Sequence, residues 1–258
     1  MAKYIYEHKN WTNFLWQDKA INAVFGEVKL MQGKIIGQMN ALGFSAKEEA
    51  TLTALTLDVV KSSEIEGELL NYDQVRSSIA RRLGINTAGL VPSSRHIEGV
   101  VEMMLDATQR YNLPLSVKRL FGWHAALFPT RHSGPYEIEV GKYRTGKMQI
   151  VSGAMGKEKI HYDAVKPKLV KAEMDKFLDW FNSDHQLDPV IKAAIAHFWF
   201  IIIHPFDDGN GRIGRAITDM LLARAESSGE RFYSMSSQIL VERKRYYEVL
   251  QKVQHSTG

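Results

Sequence analysis

The sequence predicts a mostly α-helical fold carrying one small β-hairpin. Along most of the chain, apolar residues recur at steps of three and four, the period that a helix places on one face. One stretch, from Gly134 to Asp163, breaks that period with glycines and β-branched residues. A third observation is the almost wholly apolar run Ala193 to Ile203, too long for an ordinary strand and so assigned to a buried helix, although Phe198-Trp199-Phe200-Ile201-Ile202-Ile203 alone would suit a strand.

Taken in order, Val28, Met31, Ile35, Met39 and Leu42 form a first helical stripe, which Gly43 would end. Ser45 and Glu48 have capping-box spacing, so a second helix is expected to open at Phe44-Ser45. Leu52, Leu55 and Val59 carry it to about Lys61. Ile97, Val100, Val101, Met104 and Leu105 mark a further helix. Met148 to Val151 and Lys159 to Tyr162 read as two strands of a hairpin around a glycine-containing loop. Val170, Met174, Phe177, Leu178 and Phe181 mark a helix closed by the turn formers Asn182-Ser183-Asp184. The short linker Ala88 to Arg95 divides an N-terminal helical extension, residues 1–90, from a second part, residues 91–258, and is short enough that the two are expected to pack together.

Composition narrows the chemistry. The 258 residues are 45% hydrophobic and 24% charged, an ordinary globular mixture with volume for a single core. The absence of cysteine excludes a disulfide scaffold, thiolate metal sites, iron–sulfur clusters and a cysteine nucleophile. A net charge of +4 does not demand nucleic acid as a partner, yet would not repel an anionic ligand. The polar, aromatic opening is unlike a secretory signal and no apolar run is long enough to span a membrane, so a cytoplasmic location is expected.

The informative stretch is residues 193–225, AAIAHFWFIIIHPFDDGNGRIGRAITDMLLARA. Pro205 cannot continue a helix, and Gly209 and Gly211 allow positive φ or a close approach. Helical periodicity resumes at Arg212 with Ile213, Ile217 and Met220. A glycine-rich loop feeding a helix N-terminus offers unpaired N–H groups and the positive end of the dipole to an anion. Arg212 and Arg215, three apart, can both face one ligand. Cations there cost an isolated helix roughly 0.3–1 kcal/mol each, which a bound polyanion would offset. Asp208 is a hard oxygen donor suited to Mg²⁺ bridging phosphates, and His204 is the base able to change charge near neutral pH. Each piece has a plainer reading: a capping or core histidine, an ordinary turn, two solvated arginines. All three plainer readings would have to hold at once and in register. Together the residues fit phosphoryl or nucleotidyl transfer.

Residues 204–215, His-Pro-Phe-Asp-Asp-Gly-Asn-Gly-Arg-Ile-Gly-Arg, resemble the signature of the Fic family, H-x-F-x-D/E-G-N-G/K-R-x-x-R, at every specified position. GKYRTGKMQIVSG followed by His161 resembles that family's flap, RKRYYEVLQKVQ (243–254) its C-terminal helix, and YIYEHKNWTNFLW an N-terminal extension of one bacterial branch. The resemblance implies a Fic-type helical bundle with a β-hairpin flap, and transfer of AMP from ATP to a Ser, Thr or Tyr hydroxyl of a protein substrate. By resemblance, His204 is the general base and Asp208 holds Mg²⁺. Gly209, Asn210 and Gly211 form the anion hole, with Asn210 on the α-phosphate, and Phe206 is buried. Arg212 would hold the β-phosphate and Arg215 the γ-phosphate. Val151, Ser152 and Gly153 are nucleotide contacts of the flap, whose edge would take the target as an added strand. Tyr247 and Gln254, two turns apart, could line the adenine pocket, or else be a core tyrosine and a solvated glutamine.

Ser62-Ser63-Glu64-Ile65-Glu66-Gly67 fits the family's inhibitory pattern S/T-x-x-x-E-G/N, in which Glu66 pairs with Arg215 and mimics a phosphate in its fork. By itself the pattern also fits a helix end closed by a glycine. The resemblance leaves open AMP removal assisted by Glu66, a homodimer, and a nucleotide-sensing module without transfer. The chain departs from relatives where a proline-rich run follows the flap histidine. Here that segment is Tyr162-Asp163-Ala164-Val165-Lys166-Pro167. Relatives with this extension often continue into a winged-helix domain; the sequence ends at Gly258, so that part is expected to be absent or removed, and no nucleic-acid role is carried over. Gly211 speaks against phosphate transfer, which usually goes with lysine there. Gly209-x-Gly211-x-x-Gly214 also satisfies the dinucleotide fingerprint, but a proline and two aspartates intervene after the apolar run and no parallel strand series is evident, and no P-loop motif exists in the chain.

Overall fold

The computed structural model describes residues 3–152, 159–184 and 186–255. Among these, ten α-helices and two short antiparallel hairpins surround one apolar core. The helices are α1 (Asp18–Asn40), α2 (Phe44–Ile65), α3 (Tyr72–Leu83), α4 (Arg95–Gln109), α5 (Val117–Leu127), α6 (Pro167–Asn182), α7 (Pro189–Ile203), α8 (Asn210–Glu226), α9 (Met235–Val241) and α10 (Arg243–Gln254). Strands β1 (His132–Ser133) and β2 (Tyr136–Glu137) form a small ribbon. Strands β3 (Gln149–Ser152) and β4 (Lys159–Asp163) form the expected hairpin, with a register irregularity between Ile150 and Val151.

Local chemistry explains the ends. Asn71, Ser94, Ser116, Asp188 and Ser234 each accept a backbone N–H and cap α3, α4, α5, α7 and α9. The capping box expected of Ser45 and Glu48 does not form. Helix α2 is capped two residues earlier, at Gly43, whose carbonyl accepts the Lys47 N–H, so Ser45 lies inside the first turn. That helix also runs past Lys61 to Ile65. The stripe on α1 divides: Val28 and Met31 stay exposed while Ile35 and Met39 are half-buried. Helix α1 meets the body through polar contacts, Gln32 to Glu226 at 2.7 Å and Lys29 to Asp188 at 3.1 Å.

Helices α7 and α8 form the centre. Gly214 lets them close, since a methyl there would lie 3.1 Å from Ile201 Cδ1. Gly99 does the same for α4 against α5, where a Cβ would fall 1.8 Å from the Ala126 carbonyl oxygen. The N-terminal segment lies on the hairpin and on α6 and α7. Tyr4 Oη donates to Asp163 at 3.0 Å, Trp11 Nε1 to Glu173 at 3.2 Å, and the Trp11 ring meets Trp199 edge-on at 5.6 Å. No helix among the described residues is long and apolar enough to cross a membrane.

Candidate active site

The site is the turn from α7 into α8. His204 closes α7 in the left-handed region (φ 51°, ψ 61°), which swings its ring off the helix axis. Gly209 caps α8 with φ 79°, where a side chain would be strained and would also meet the Phe128 ring. Between them Phe206 is fully buried and stacks on His124, with ring centroids 4.3 Å apart. The Asn210 side chain closes the loop: its Oδ1 accepts the Phe206 N–H at 3.0 Å, and its Nδ2 donates to the Phe206 carbonyl at 2.9 Å. Asn210 is buried, so its main-chain N–H, not its amide side chain, is what it offers an anion. Helix geometry leaves the N–H groups of Asn210, Gly211 and Arg212 without intrahelical acceptors, the first helical bond being Ile213 to Gly209.

His204 Nδ1 lies 3.3 Å from the Ile201 carbonyl. A carbonyl can only accept, so Nδ1 carries the proton and Nε2 keeps the lone pair. Burial pushes this imidazole down to about 4, against the pull of the Ile201 carbonyl and the charges of Glu66 and Asp208. At neutral pH it is therefore an uncharged proton acceptor. Asp208 lies beside the helix start. Its Oδ1 accepts the Gly209 N–H at 2.6 Å and its Oδ2 the Ser133 hydroxyl.

Two buried side chains that sequence reasoning missed hold this loop. His124 bridges the Asp208 carbonyl (Nε2, 3.2 Å) and the Gly141 N–H (Nδ1, 3.1 Å), which fixes it as the neutral Nε2–H tautomer. Arg144 donates from Nε to the His204 carbonyl at 2.6 Å and from Nη2 to the carbonyls of Val165 and Ile203 at 2.5 and 3.3 Å. Its own N–H donates to the Pro205 carbonyl at 2.9 Å. A guanidinium there also meets the negative end of α7.

The end of α2 docks on the start of α8. Arg215, 2% exposed, donates from Nε to Ser62 Oγ at 2.8 Å, and from Nη2 to the Ser62 carbonyl at 2.8 Å and Glu66 Oε1 at 2.9 Å. A Cβ on Gly211 would fall 2.0 Å from that carboxylate oxygen. Gly67 (φ 85°) closes α2: its N–H bonds the Glu64 carbonyl and that of Glu68 bonds the Ser63 carbonyl, each at 3.0 Å. This is a Schellman cap, so the glycine-capped helix end and the Glu66–Arg215 pair both exist, and the cap aims the carboxylate. The charge of Glu66 is felt at His204, His197, Tyr246 and Tyr247, and tends to raise each of them. Arg212, 5% exposed, donates from Nη1 to Glu68 Oε2 at 2.7 Å and lies over the Phe128 ring.

Residues 114–222 match the profile of the Fic/DOC family, and residues 4–85 match a domain of unknown function, DUF4172. The chain carries a Fic/DOC-family domain. It is 30% identical over 185 residues to protein adenylyltransferase Fic of Drosophila willistoni, covering 70% of this chain and 34% of that protein. Over 90 residues it is 33% identical to protein adenylyltransferase fic-1 of Caenorhabditis elegans, 34% of this chain and 16% of that one. The chain thus aligns with about a third or less of these curated relatives. Its fold resembles a Fic family protein from Desulfovibrio desulfuricans G20, with TM-score 0.62, 24% identity and coverage of 92% and 67% of the two chains. It also resembles a Fic domain containing signaling protein from Bacteroides thetaiotaomicron, with TM-score 0.62, 23% identity and coverage of 86% and 80%.

Around the Fic loop the structure thus brings together His204, Asp208, Gly209, Asn210, Gly211, Arg212, Arg215, Ser62, Glu66 and Gly67. Val151 and Ser152 fall on β3, and Gly153 lies outside the described residues. On α10 the two candidates part: Tyr247 is 41% exposed on the side of Glu66 and Arg215, while Gln254 is 4% exposed, one residue before His255, which packs on Tyr4. The tyrosine that enters the interior is Tyr246, whose hydroxyl bonds His197 Nε2 at 2.7 Å. His197 Nδ1 in turn lies 3.1 Å from Thr218 Oγ1, whose hydroxyl donates to Gly214 on the arginine-bearing helix. Helical periodicity could have found Tyr246, since it shares a face with Leu250 and Val253.

Proposed function

We propose that this Fic chain is a protein adenylyltransferase that moves AMP from ATP to a Ser, Thr or Tyr hydroxyl of a protein substrate, itself included. His204 Nε2 takes the hydroxyl proton, the freed oxygen bonds to the α-phosphorus, and the bond to the β-phosphate bridging oxygen breaks to release pyrophosphate. The main-chain N–H groups at the start of α8 meet the charge on the α-phosphate, with Arg212 and Arg215 on the phosphates beyond it. No group of three or more His, Asp or Glu suited to a metal occurs among the described residues. A lone carboxylate fits Mg²⁺, which takes most of its ligands from phosphates and water, so Asp208 would hold the ion that accompanies ATP and neutralises phosphate charge. The observation that carries the reading is the tautomer of His204: a lone pair on Nε2, uncharged at neutral pH, beside an anion-binding helix start.

In the resting chain Glu66 stands in the fork of Arg215 and keeps the γ-phosphate from its productive place. Residues 1–90 carry this inhibitory element and residues 91–258 the catalytic core. Glu66 also assists removal of AMP by orienting a water toward the α-phosphorus of the modified residue, so that the P–O bond to the side-chain oxygen breaks and AMP leaves with the hydroxyl restored. The hairpin takes the target as an added strand.

Labelled ATP with Mg²⁺ tests the reading on three proteins. Weak self-labelling is expected in the unsubstituted chain, more in Glu66→Gly and none in His204→Ala, which retains ATP affinity. Absence of label in all three, with ATP still raising the melting temperature, would identify a nucleotide-sensing module instead.

A further inference from the structure

We propose that Glu68 is a second inhibitory carboxylate, which occupies Arg212 as Glu66 occupies Arg215, so that nucleotide phosphates must displace both. The inference rests on the nucleotide-site reading above and extends it to a residue outside the inhibitory pattern.

Three observations converge. The Schellman cap at Gly67 reverses the chain directly after α2, and both flanking carboxylates face the start of α8. Glu68 meets two groups. Its Oε2 takes Arg212 Nη1, while its Oε1 contacts His96 Nε2 from α4. Burial alone would raise this carboxyl; contact with His96 and the Arg212 charge hold it below the usual carboxylate range instead, so it is ionised when it meets the guanidinium. Finally, Arg212 is only partly satisfied. Its Nε is buried with no hydrogen-bond partner among the described residues, in a residue only 5% exposed. A single carboxylate oxygen on Nη1 leaves that donor unmet, whereas a phosphate presents enough oxygens for both. Arg215, by contrast, has its Nε on Ser62. On Arg212 a phosphate thus satisfies a donor that Glu68 leaves unmet.

Two carboxylates on two arginines make release stepwise. Replacing Glu66 removes the carboxylate from Arg215, which keeps its bonds to Ser62, and leaves Arg212 engaged. His96, far from either motif in the sequence, touches the second carboxylate from α4.

The test measures the affinity of Mg²⁺-ATP by calorimetry on four full-length proteins: unsubstituted, Glu66→Gly, Glu68→Gln, and the double variant. Glutamine keeps the size of the side chain, and melting curves verify folding. Adding Glu68→Gln to Glu66→Gly is expected to tighten binding about fivefold, the worth of one partly exposed ion pair, and to raise the rate of AMP labelling. His96→Gln in the Glu66→Gly background should act in the same direction and more weakly. Binding seen only in the double variant also supports the proposal. An affinity in the folded double variant equal to or below that of Glu66→Gly overturns it, because Glu68 would then merely orient Arg212, and leaves the nucleotide site standing. No ATP binding in any of the four overturns both readings.

Discussion

Replacing His124 with glutamine is expected to flatten the loss of stability on the acid side. His124 is fully buried, and burial pushes its imidazole down to about 4 from an ordinary 6.5. A base whose folded value lies below its unfolded one stabilises the fold in its neutral form. That contribution is complete above about pH 6.5 and drains away as the pH falls toward about 4. At about pH 5 the two values imply a loss of about 2 kcal/mol for this ring. His197 and His204 are also pushed down to about 4, so the three together remove on the order of 6 kcal/mol between about pH 7 and about pH 5. Set against a typical domain stability of about 5–15 kcal/mol, that is enough to unfold a marginal chain. Glutamine can still donate to the Asp208 carbonyl but leaves the Gly141 N–H without its acceptor, at a pH-independent cost of about 1–2 kcal/mol. Urea unfolding at the two pH values checks this. The variant should start less stable and lose about 2 kcal/mol less on acidification. Equal acid losses in the two proteins would refute the assignment of His124 as a neutral buried base.

Other expectations follow from single contacts. Asn210→Ala removes both bonds to the Phe206 backbone and should cost about 2–3 kcal/mol of thermal stability; Asn210→Asp, which keeps only the acceptor, should fall between. Gly99→Ala drives a methyl into the Ala126 carbonyl and should lower stability by about 2–3 kcal/mol, whereas the same change at Gly122, where nothing lies within 4 Å, should be neutral or stabilising in calorimetry. Tyr246→Phe should cost about 1–2 kcal/mol by leaving His197 Nε2 unpaired, and an equal loss in Tyr247→Phe would contradict the geometry.

The α7–α8 loop was legible because its residues are contiguous: His204 to Arg215 lie within twelve positions, so spacing alone puts an imidazole, a carboxylate, amides and arginines together. Glu66 was legible because its own short pattern survives a separation of 149 residues from its partner. His124, Arg144 and His96 carry no such pattern, and tertiary packing alone assigns their roles. A weak signal existed for His124, a lone titratable group in the apolar run Leu120 to Phe128, and its burial is what that pattern should have suggested. The capping box at Ser45 failed for a local reason, since Gly43 opened the helix first. On α10 a one-residue choice between adjacent tyrosines decided which ring faced the interior, and the seven-residue spacing to Gln254 did not.

Arg144 turns the root of the β3–β4 hairpin and the last carbonyls of α7 into a single joint. Its Nη1 also holds the Gly146 carbonyl at 2.8 Å, so the strand leading into the hairpin and the backbone of His204 hang from one guanidinium. A peptide laid along that ribbon would inherit its alignment with the imidazole from this anchor, without any contact of its own to the loop.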